Sequence, residues 1–309
     1  MSTANDDGRG VLLLAYGGPL ALAEVEPFLA DIRGGRPAPP ELVAEVRSRY
    51  AAISGRSPLL DNTWRQAAAL ERSLDERGVS RPVAVGMRHW QPRIADALRD
   101  LADRGVSRLV AICLAPHYSQ ASIGAYRQAL DDALDAAGIP FELRFVERWG
   151  AHPRLIAALA DRLQATLDGV PAPLRRHVRI LFTAHSLPAR LAAEGDPYCQ
   201  ELEATAEAVA RRLRLADWSL AFQSAGARPV EWLEPDVLES LHALAADGAR
   251  CAVVQPIGFV SDHVETLYDL DVEARRHADS LGLAFHRVAA AGDHPDLIAA
   301  LADLVLHDG

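Results

Sequence analysis

The sequence predicts an α/β protein made of two similar doubly wound halves, each a parallel four-stranded sheet flanked by helices. Short, β-branched apolar runs alternate with longer amphipathic stretches along almost the whole chain, the pattern of βαβ units closing a buried parallel sheet. The runs fall into two sets of four. The two sets also resemble each other. VLLLAYGGP (11–19) and ILFTAHSLP (180–188) share a strand, an alanine, a polar ring residue and a proline three positions later. LVAICLAPHYS (109–119) and AVVQPIGFVSDH (252–263) share a strand, a proline and a serine-bearing loop.

Taken in order, VLLLAY (11–16) leads into ALAEVEPFLADI, and PVAVGMR (82–88) into PRIADALRDLADRG. RLVAICLAP (108–116) leads into IGAYRQALDDALDAAG, and FELRFVER (141–148) into HPRLIAALADRLQATL. The second set is RILFTAH (179–185), WSLAFQS (218–224), CAVVQPIG (251–258) and LAFHRVAA (283–290), each again followed by a helical pattern. The expected division is 1–150 and 151–309, with the linker near ERWGAHPR (147–154). LDGVPAPLRRH (167–177) reads as a loop before the fifth strand, and the last helix, 294–306, suits packing on either half.

Bulk properties narrow the function classes. The chain has 309 residues, half of them apolar, with a net charge of -10 and a pI near 5.6. That balance argues against a phosphate-backbone partner, and no polybasic segment offers a membrane anchor. The start, MSTANDDGRG, has no apolar core of a signal peptide, and no apolar run reaches the roughly 20 residues of a membrane span. The expectation is a cytoplasmic protein with at most peripheral membrane contact. Cys113, Cys199 and Cys251 lie far apart, in no ligand-like spacing, so neither a disulfide framework nor a cysteine metal cluster is expected.

Ligands of open parallel sheets sit at the C-terminal ends of the strands. Tyr16 and His185 fall at such ends, in equivalent places of the two halves. If the halves face each other across a cleft, the two rings approach from opposite walls. The richest chemistry lies in GFVSDHVETLYDLDVEARR (258–276). Asp262 or Ser261 can cap a helix there, and Glu265, Asp269 and Glu273, spaced i, i+4, i+8, would form one stripe. Such a stripe costs a few tenths of a kcal/mol per like-charged pair and is often a solvated face. Here it starts beside a strand end, in apolar company, and suits moving cations in or protons out. Carboxylates with imidazole suit a divalent ion held loosely.

His263 and Asp262 read as capping and loop packing, Trp90 as packing, and His117, beside Pro116, as a supporting residue at most. AYGGP is not a GxGxxG fingerprint and no GxxxxGK[ST] occurs, so nucleotide phosphate binding has little support. Arg33, Arg36, Arg47, Arg49 and Arg56 form a basic N-terminal region of an acidic protein. Some of them, placed at a cleft mouth, would suit a ligand carrying carboxylates. Arg88, His89 and Trp90 mark another strand end.

Nine motifs occur in one order: AYGGP, RYAAISGRSP, GMRHWQP, LAPHYS, AHSLP, GDPY, FQSAG, WLEPDV and GFVSDHVETLYDLD. Each alone is weak. The ordered set resembles the ferrochelatases, which insert ferrous iron into a porphyrin, and the resemblance runs from VLLLAYGGP to HPDLIAALADLV. It implies two Rossmann-like halves around a porphyrin cleft, a chelatase-like fold. It carries the family's essential histidine onto His185 and its glutamate onto Glu265, for iron binding, proton abstraction or both. Asp269 and Glu273 match the acidic ladder, as relay or secondary metal site. Arg33, Arg49, Tyr50, Ser57 and Tyr126 match positions that contact porphyrin or its propionates in the coproporphyrin-using branch. Tyr16 matches the tyrosine that takes the axial position on iron there, and with it coproporphyrin III becomes the expected substrate. Gly34 stands where some relatives have a second basic residue, which puts one propionate contact in doubt.

The resemblance implies porphyrin and ferrous iron as substrates, no iron–sulfur cluster, and transient contact with neighbouring enzymes of haem synthesis. The competing readings are a protoporphyrin IX ferrochelatase, a cobalt-type tetrapyrrole chelatase and a non-catalytic haem carrier.

Overall fold

A computed structural model describes residues 8–226 and 229–307. Its eight strands form two sheets. In one, β1 (Arg9–Ala15), β2 (Val83–Met87), β3 (Arg108–Cys113) and β4 (Glu142–Val146) run parallel in the order β2-β1-β3-β4. In the other, β5 (Val178–His185), β6 (Trp218–Gln223), β7 (Cys251–Pro256) and β8 (Ala284–Arg287) run parallel in the order β6-β5-β7-β8. Strand for strand the orders are the same, so β1 and β5 hold equivalent inner positions. Val11–Leu14 and Leu181–Phe182 have no exposed surface. Helices cover both faces of a parallel sheet, so its inner strands read as unbroken apolar runs rather than alternating ones.

The chain divides into two compact units. The first comprises the residues up to Pro116, Gln120–Trp149 and the stretch from Asp293 onward; the second comprises His117–Ser119 and Gly150–Gly292.

In the first unit the helix Leu59–Glu76 buries Leu59, Thr63, Gln66, Ala67, Leu70 and Leu74, one stripe at helical spacing. The last helix, Pro295–Leu306, packs against it. Three arginines hold that helix by its C-terminal end. Arg77 pairs with Asp303 at 2.7 Å, Arg81 donates to the Val305 carbonyl at 2.9 Å, and Arg144 donates to the Leu304 carbonyl. The last carbonyls of a helix lack intrahelical partners and carry partial negative charge, so cations there both satisfy and stabilise them.

In the second unit Leu181, Ala221, Val254, Leu270, Ala274 and Phe285 belong to one buried cluster that joins the sheet to the segment after β7. Among the described residues, no helix is long and apolar enough to cross a membrane.

Candidate active site

His185 is the last residue of β5, and three bonds fix the backbone around it. Ser186 donates its N–H to the Gln223 carbonyl at 2.7 Å and its hydroxyl to Leu233 O at 3.0 Å, while the buried Tyr198 hydroxyl donates to His185 O at 3.1 Å. Glu265 reaches this point because the loop after β7 folds back onto β5. Ile257 and Gly258 both donate to the Thr183 carbonyl, at 2.9 and 3.3 Å. A Cβ on Gly258 would sit 2.8 Å from that of Ala184, so only glycine lets the loop lie this close. One α-turn, Val264–Leu267, then begins at His263, whose N–H donates to Thr266 Oγ1 at 3.0 Å.

The outcome is a 3.0 Å contact between His185 Nδ1 and Glu265 Oε2, with His263 Nε2 3.8 Å from the same oxygen. Gln223 Nε2 holds the Glu265 carbonyl at 2.7 Å. The side chains of His185 and Glu265 remain 33% and 32% exposed, so both can meet a substrate.

The charges of the pair support each other. Burial pushes the Glu265 carboxyl up, but the charge and hydrogen bond of His185, then His263 and the Ser224 hydroxyl, outweigh it and hold the pKa at about 2. Burial pulls His185 down, yet Glu265 and, after it, Asp269 lift it above its ordinary value. His263 is shifted down, chiefly by burial. The shifts of His185 and Glu265 both favour the ion pair, an imidazolium donating to a carboxylate, over the neutral imidazole that general-base chemistry requires.

The acidic segment departs from expectation in two ways. Beyond Leu267 the chain winds as a π-helix, Asp269–Ala274, in which Glu273 N–H bonds Tyr268 O five residues back at 3.0 Å. A wider turn breaks the i, i+4, i+8 stripe expected of Glu265, Asp269 and Glu273. Nor does Asp262 or Ser261 cap the helix. Asp262 is taken by Arg287, at 2.8 Å, and by Ala290 N–H, at 3.4 Å, which leaves the cap to His263. Arg287, 11% exposed, also bonds Asp271 at 2.9 Å and so grips the segment on both sides of Glu265. Asp269 is buried and accepts from the Ser224 hydroxyl, while Glu273 lies half-buried further on. Among the described residues, no three His, Cys, Asp or Glu side chains gather closely enough to cage a metal ion.

In the first unit Tyr16 follows β1 and is 38% exposed. Its ring lies 4.6 Å from that of His89, centre to centre, and 6.5 Å from Phe28 edge-on. His89 Nδ1 meets Asp31 Oδ2 at 3.0 Å, and the other Asp31 oxygen accepts from Arg93 at 2.8 Å. Burial raises the Asp31 carboxyl, but Arg93 and His89 outweigh it and hold it below its usual value. His89 is shifted down, mainly by burial, so its single N–H belongs to Nδ1, facing the carboxylate.

Ser57, Tyr50 and Tyr126 are all buried. Ser57 packs against Gly18, where a Cβ would come within 2.6 Å of its side chain. Tyr126 lies under the Arg88 guanidinium, 5.6 Å from its ring centre. Arg33, half-buried, follows the helix Val25–Ile32, and Arg49 pairs with Glu45 at 2.8 Å. Gly34 has φ of +67°, a conformation that favours glycine over any basic residue. Trp90 packs edge-on against Phe28 at 5.7 Å and donates to Glu24 at 3.0 Å.

His117 is buried against Thr205 at 2.8 Å. Thr205 donates onward to Gly150 O at 3.1 Å, and burial pushes the ring to about 3, so it is a neutral structural imidazole.

A family model described as ferrochelatase matches residues 8–308. The chain belongs to the ferrochelatase family. It is 41% identical over 312 residues to a ferrochelatase of Thermus thermophilus, covering 96% of this chain and 98% of that one. It is 36% identical over 301 residues to a protein of Anoxybacillus flavithermus named coproporphyrin III ferrochelatase, covering 96% and 95%. A solved structure, SirB from Bacillus subtilis with Fe3+, superposes with a TM-score of 0.61 at 12% identity, covering 96% of this chain and 94% of that one. At that identity the likeness speaks for the fold alone.

Ferrochelatases insert Fe2+ into a porphyrin in haem biosynthesis, and this member is an enzyme of that class, a metal-inserting lyase. Membership displaces the cobalt-type and carrier readings. Four residues around the two ring side chains escaped sequence reasoning in this role: Ser224, Gln223, Asp31 and Arg287. FQSAG singles out the first two only as part of a motif. Asp31 and Arg287 carry no local signal at all, because their partners lie 58 and 25 residues away.

Proposed function

We propose that this ferrochelatase-family enzyme prefers coproporphyrin III, with His185 as acceptor of the pyrrole protons and Glu265 as the anionic oxygen offered to Fe2+. The observation that carries the reading is the 3.0 Å His185–Glu265 contact at the end of an inner strand, open to a substrate on one side.

A free porphyrin must lose two N–H protons as the metal enters, and a planar ring hides its nitrogen lone pairs. A site that favours a bent ring exposes a nitrogen and moves the substrate toward the transition state. The imidazolium form, which the ion pair with Glu265 favours, cannot accept a proton. As Fe2+ approaches Glu265 it replaces the imidazolium as counter-ion of the carboxylate, and a nearby dication lowers the pKa of His185. The ring then releases its proton to solvent by way of the carboxylates beyond it and becomes the base that takes one pyrrole proton; passing that proton along the same route frees the ring to take the second. Asp269 and Glu273 carry protons or cations onward, Ser224 linking Asp269 to the pair.

In the first unit Arg33 and Arg49 are assigned to the propionates, and Tyr50, Ser57 and Tyr126 to the macrocycle and its rim. Tyr16 is assigned to the axial position on iron. The porphyrin preference rests on Tyr16 and on a relative named for coproporphyrin III, at 36% identity. No iron–sulfur cluster is assigned, since such clusters take four thiolates as a rule and the chain has three cysteines. A cytoplasmic site of action and brief hand-over contacts with neighbouring haem-pathway enzymes complete the reading.

The test is anaerobic Fe2+ insertion with coproporphyrin III and protoporphyrin IX offered separately, with His185→Ala and Glu265→Gln alongside. Faster metallation of coproporphyrin and an inactive His185→Ala support the reading. Preference for protoporphyrin overturns the substrate assignment, and an active His185→Ala overturns the base.

A further inference from the structure

Tyr16 does not stand alone at the end of β1. Its carbonyl accepts the N–H of His89 at 2.9 Å, and the His89 ring lies tilted by 53° at 4.6 Å from its own. That imidazole cannot turn freely. Asp31 holds Nδ1 at 3.0 Å, and Arg93 holds Asp31 by its second oxygen at 2.8 Å. The His89 and Asp31 side chains are 14% and 26% exposed, so the brace is largely shielded from water.

The second unit offers a parallel. Ala15 pairs with Met87, which puts His89 one residue beyond the neighbour of Tyr16 on the next strand. His185 pairs with Gln223, which puts Ser224 in the same place relative to His185. Ser224 has φ of +60° and bonds a carboxylate of its own unit, Asp269. In both units, then, the position diagonal to the ring residue at the strand end holds a side chain anchored to an aspartate.

We propose that His89 is a positioning residue for Tyr16, setting the attitude of the phenol toward iron through a ring contact that Asp31 and Arg93 brace. The proposal rests on the assignment of Tyr16 to the axial position. A phenol on a flexible strand end would sample many orientations, whereas one resting on a fixed ring presents its oxygen in one direction.

The probe is ferric coproporphyrin added to purified protein, read by the phenolate-to-iron charge-transfer band, with steady-state Fe2+ insertion in parallel. Tyr16→Phe is the reference and should abolish the band. His89→Ala should shift or weaken the band and lower kcat by about 10-fold, the usual scale for a residue that orients a metal ligand, with a much smaller change in KM. His89→Phe keeps a ring but loses the Asp31 bond, and should fall between wild type and His89→Ala. Asp31→Asn should move the band in the same direction as His89→Phe.

A merely structural His89 would lower the melting temperature and leave the band and kcat of the folded fraction at wild-type values, and that result overturns the proposal. Should His89→Ala not fold, His89→Phe decides by the same criterion. If Tyr16→Phe leaves the band unchanged, the axial assignment falls and takes this proposal with it, while the His185 and Glu265 roles stand. If Tyr16→Phe abolishes the band and the His89 variants do not alter it, the axial assignment stands and the proposal fails alone.

Discussion

Gly258 lies against Ala184 with no room for a side chain: a Cβ on the glycine would stand 2.8 Å from the alanine Cβ and 3.1 Å from its Cα. Ala184 precedes His185, and Gly258 leads the loop that delivers Glu265. The approach of these two residues is thus what closes the 3.0 Å contact between imidazole and carboxylate.

Gly258→Ala should push the loop away from β5, because the obstructing atoms are backbone and a short side chain that cannot turn aside. Overpacking of this kind costs about 1–3 kcal/mol. Iron insertion should fall far more than the stability loss explains, since a misplaced reacting group loses rate steeply with distance. Thermal melting and turnover on the same preparation separate the two effects. A variant with full activity would show that Glu265 does not need this approach.

The paired charges set a pH signature. Glu265 is held at about 2, below its usual 4.5, so its stabilising contribution is complete above 4.5 and disappears as pH falls toward 2. His185 is raised above 6.5, so its contribution is complete below 6.5 and is lost as pH rises through the higher folded value. Together they stabilise most between about pH 4.5 and 6.5. His185→Ala should lose this extra stability inside the window, so its melting temperature should fall less than that of wild type on either side of it. Because His185 must lose its proton before it can act as base, and kcat/KM reports the free enzyme, kcat/KM should rise with pH through an apparent pKa above 6.5. Glu265→Gln should move that limb to lower pH.

Ser224 offers a separation of fold from chemistry. Its φ of +60° is strained for a residue with a Cβ, and its hydroxyl serves Asp269 and Glu265. Ser224→Gly should lose the hydroxyl but relieve the backbone, and so be about 1 kcal/mol more stable than Ser224→Ala while slowing insertion. Ser224→Ala should lose the hydroxyl, keep the strain, and be both slower and no more stable. Urea unfolding and turnover of the two variants check this, and equal rates for all three proteins would remove Ser224 from the proton route.

The end of the last helix predicts a change in stability without one in chemistry. Arg81 is 6% exposed and donates to the Val305 carbonyl. Arg81→Met should leave that acceptor only the longer 3.4 Å bond from Arg144 and cost about 1–3 kcal/mol. Turnover at temperatures well below the melting point should be that of wild type. A matching loss of activity would contradict a purely structural role.

The eight strands were legible because a buried parallel strand has no choice but to be an apolar run, and VLLLAY and RILFTAH could be little else. Tyr16 and His185 stood out for the complementary reason, a polar ring where such a run stops. What stayed hidden depends on distant partners. Asp262 looked like a helix cap by residue type, but Arg287 from β8 claims its carboxylate, and His263 caps instead. The π-helix at Asp269–Ala274 was illegible because the apolar spacing of LYDLDVEA fits an ordinary helix as well. His89 and Asp31 lie 58 residues apart, with nothing local in either stretch announcing the other.

The identical strand orders of the two units have a consequence for how new chemistry can arise here. Residues 16 and 89 in one unit, and 185 and 224 in the other, occupy matching addresses at the rim of a hydrophobic sheet. A phenol or an imidazole, a serine or a histidine, can be exchanged at these addresses while every buried strand position keeps its occupant. The sheets act as a chassis with interchangeable fittings, so reactivity can drift from member to member without the folding problem being solved again.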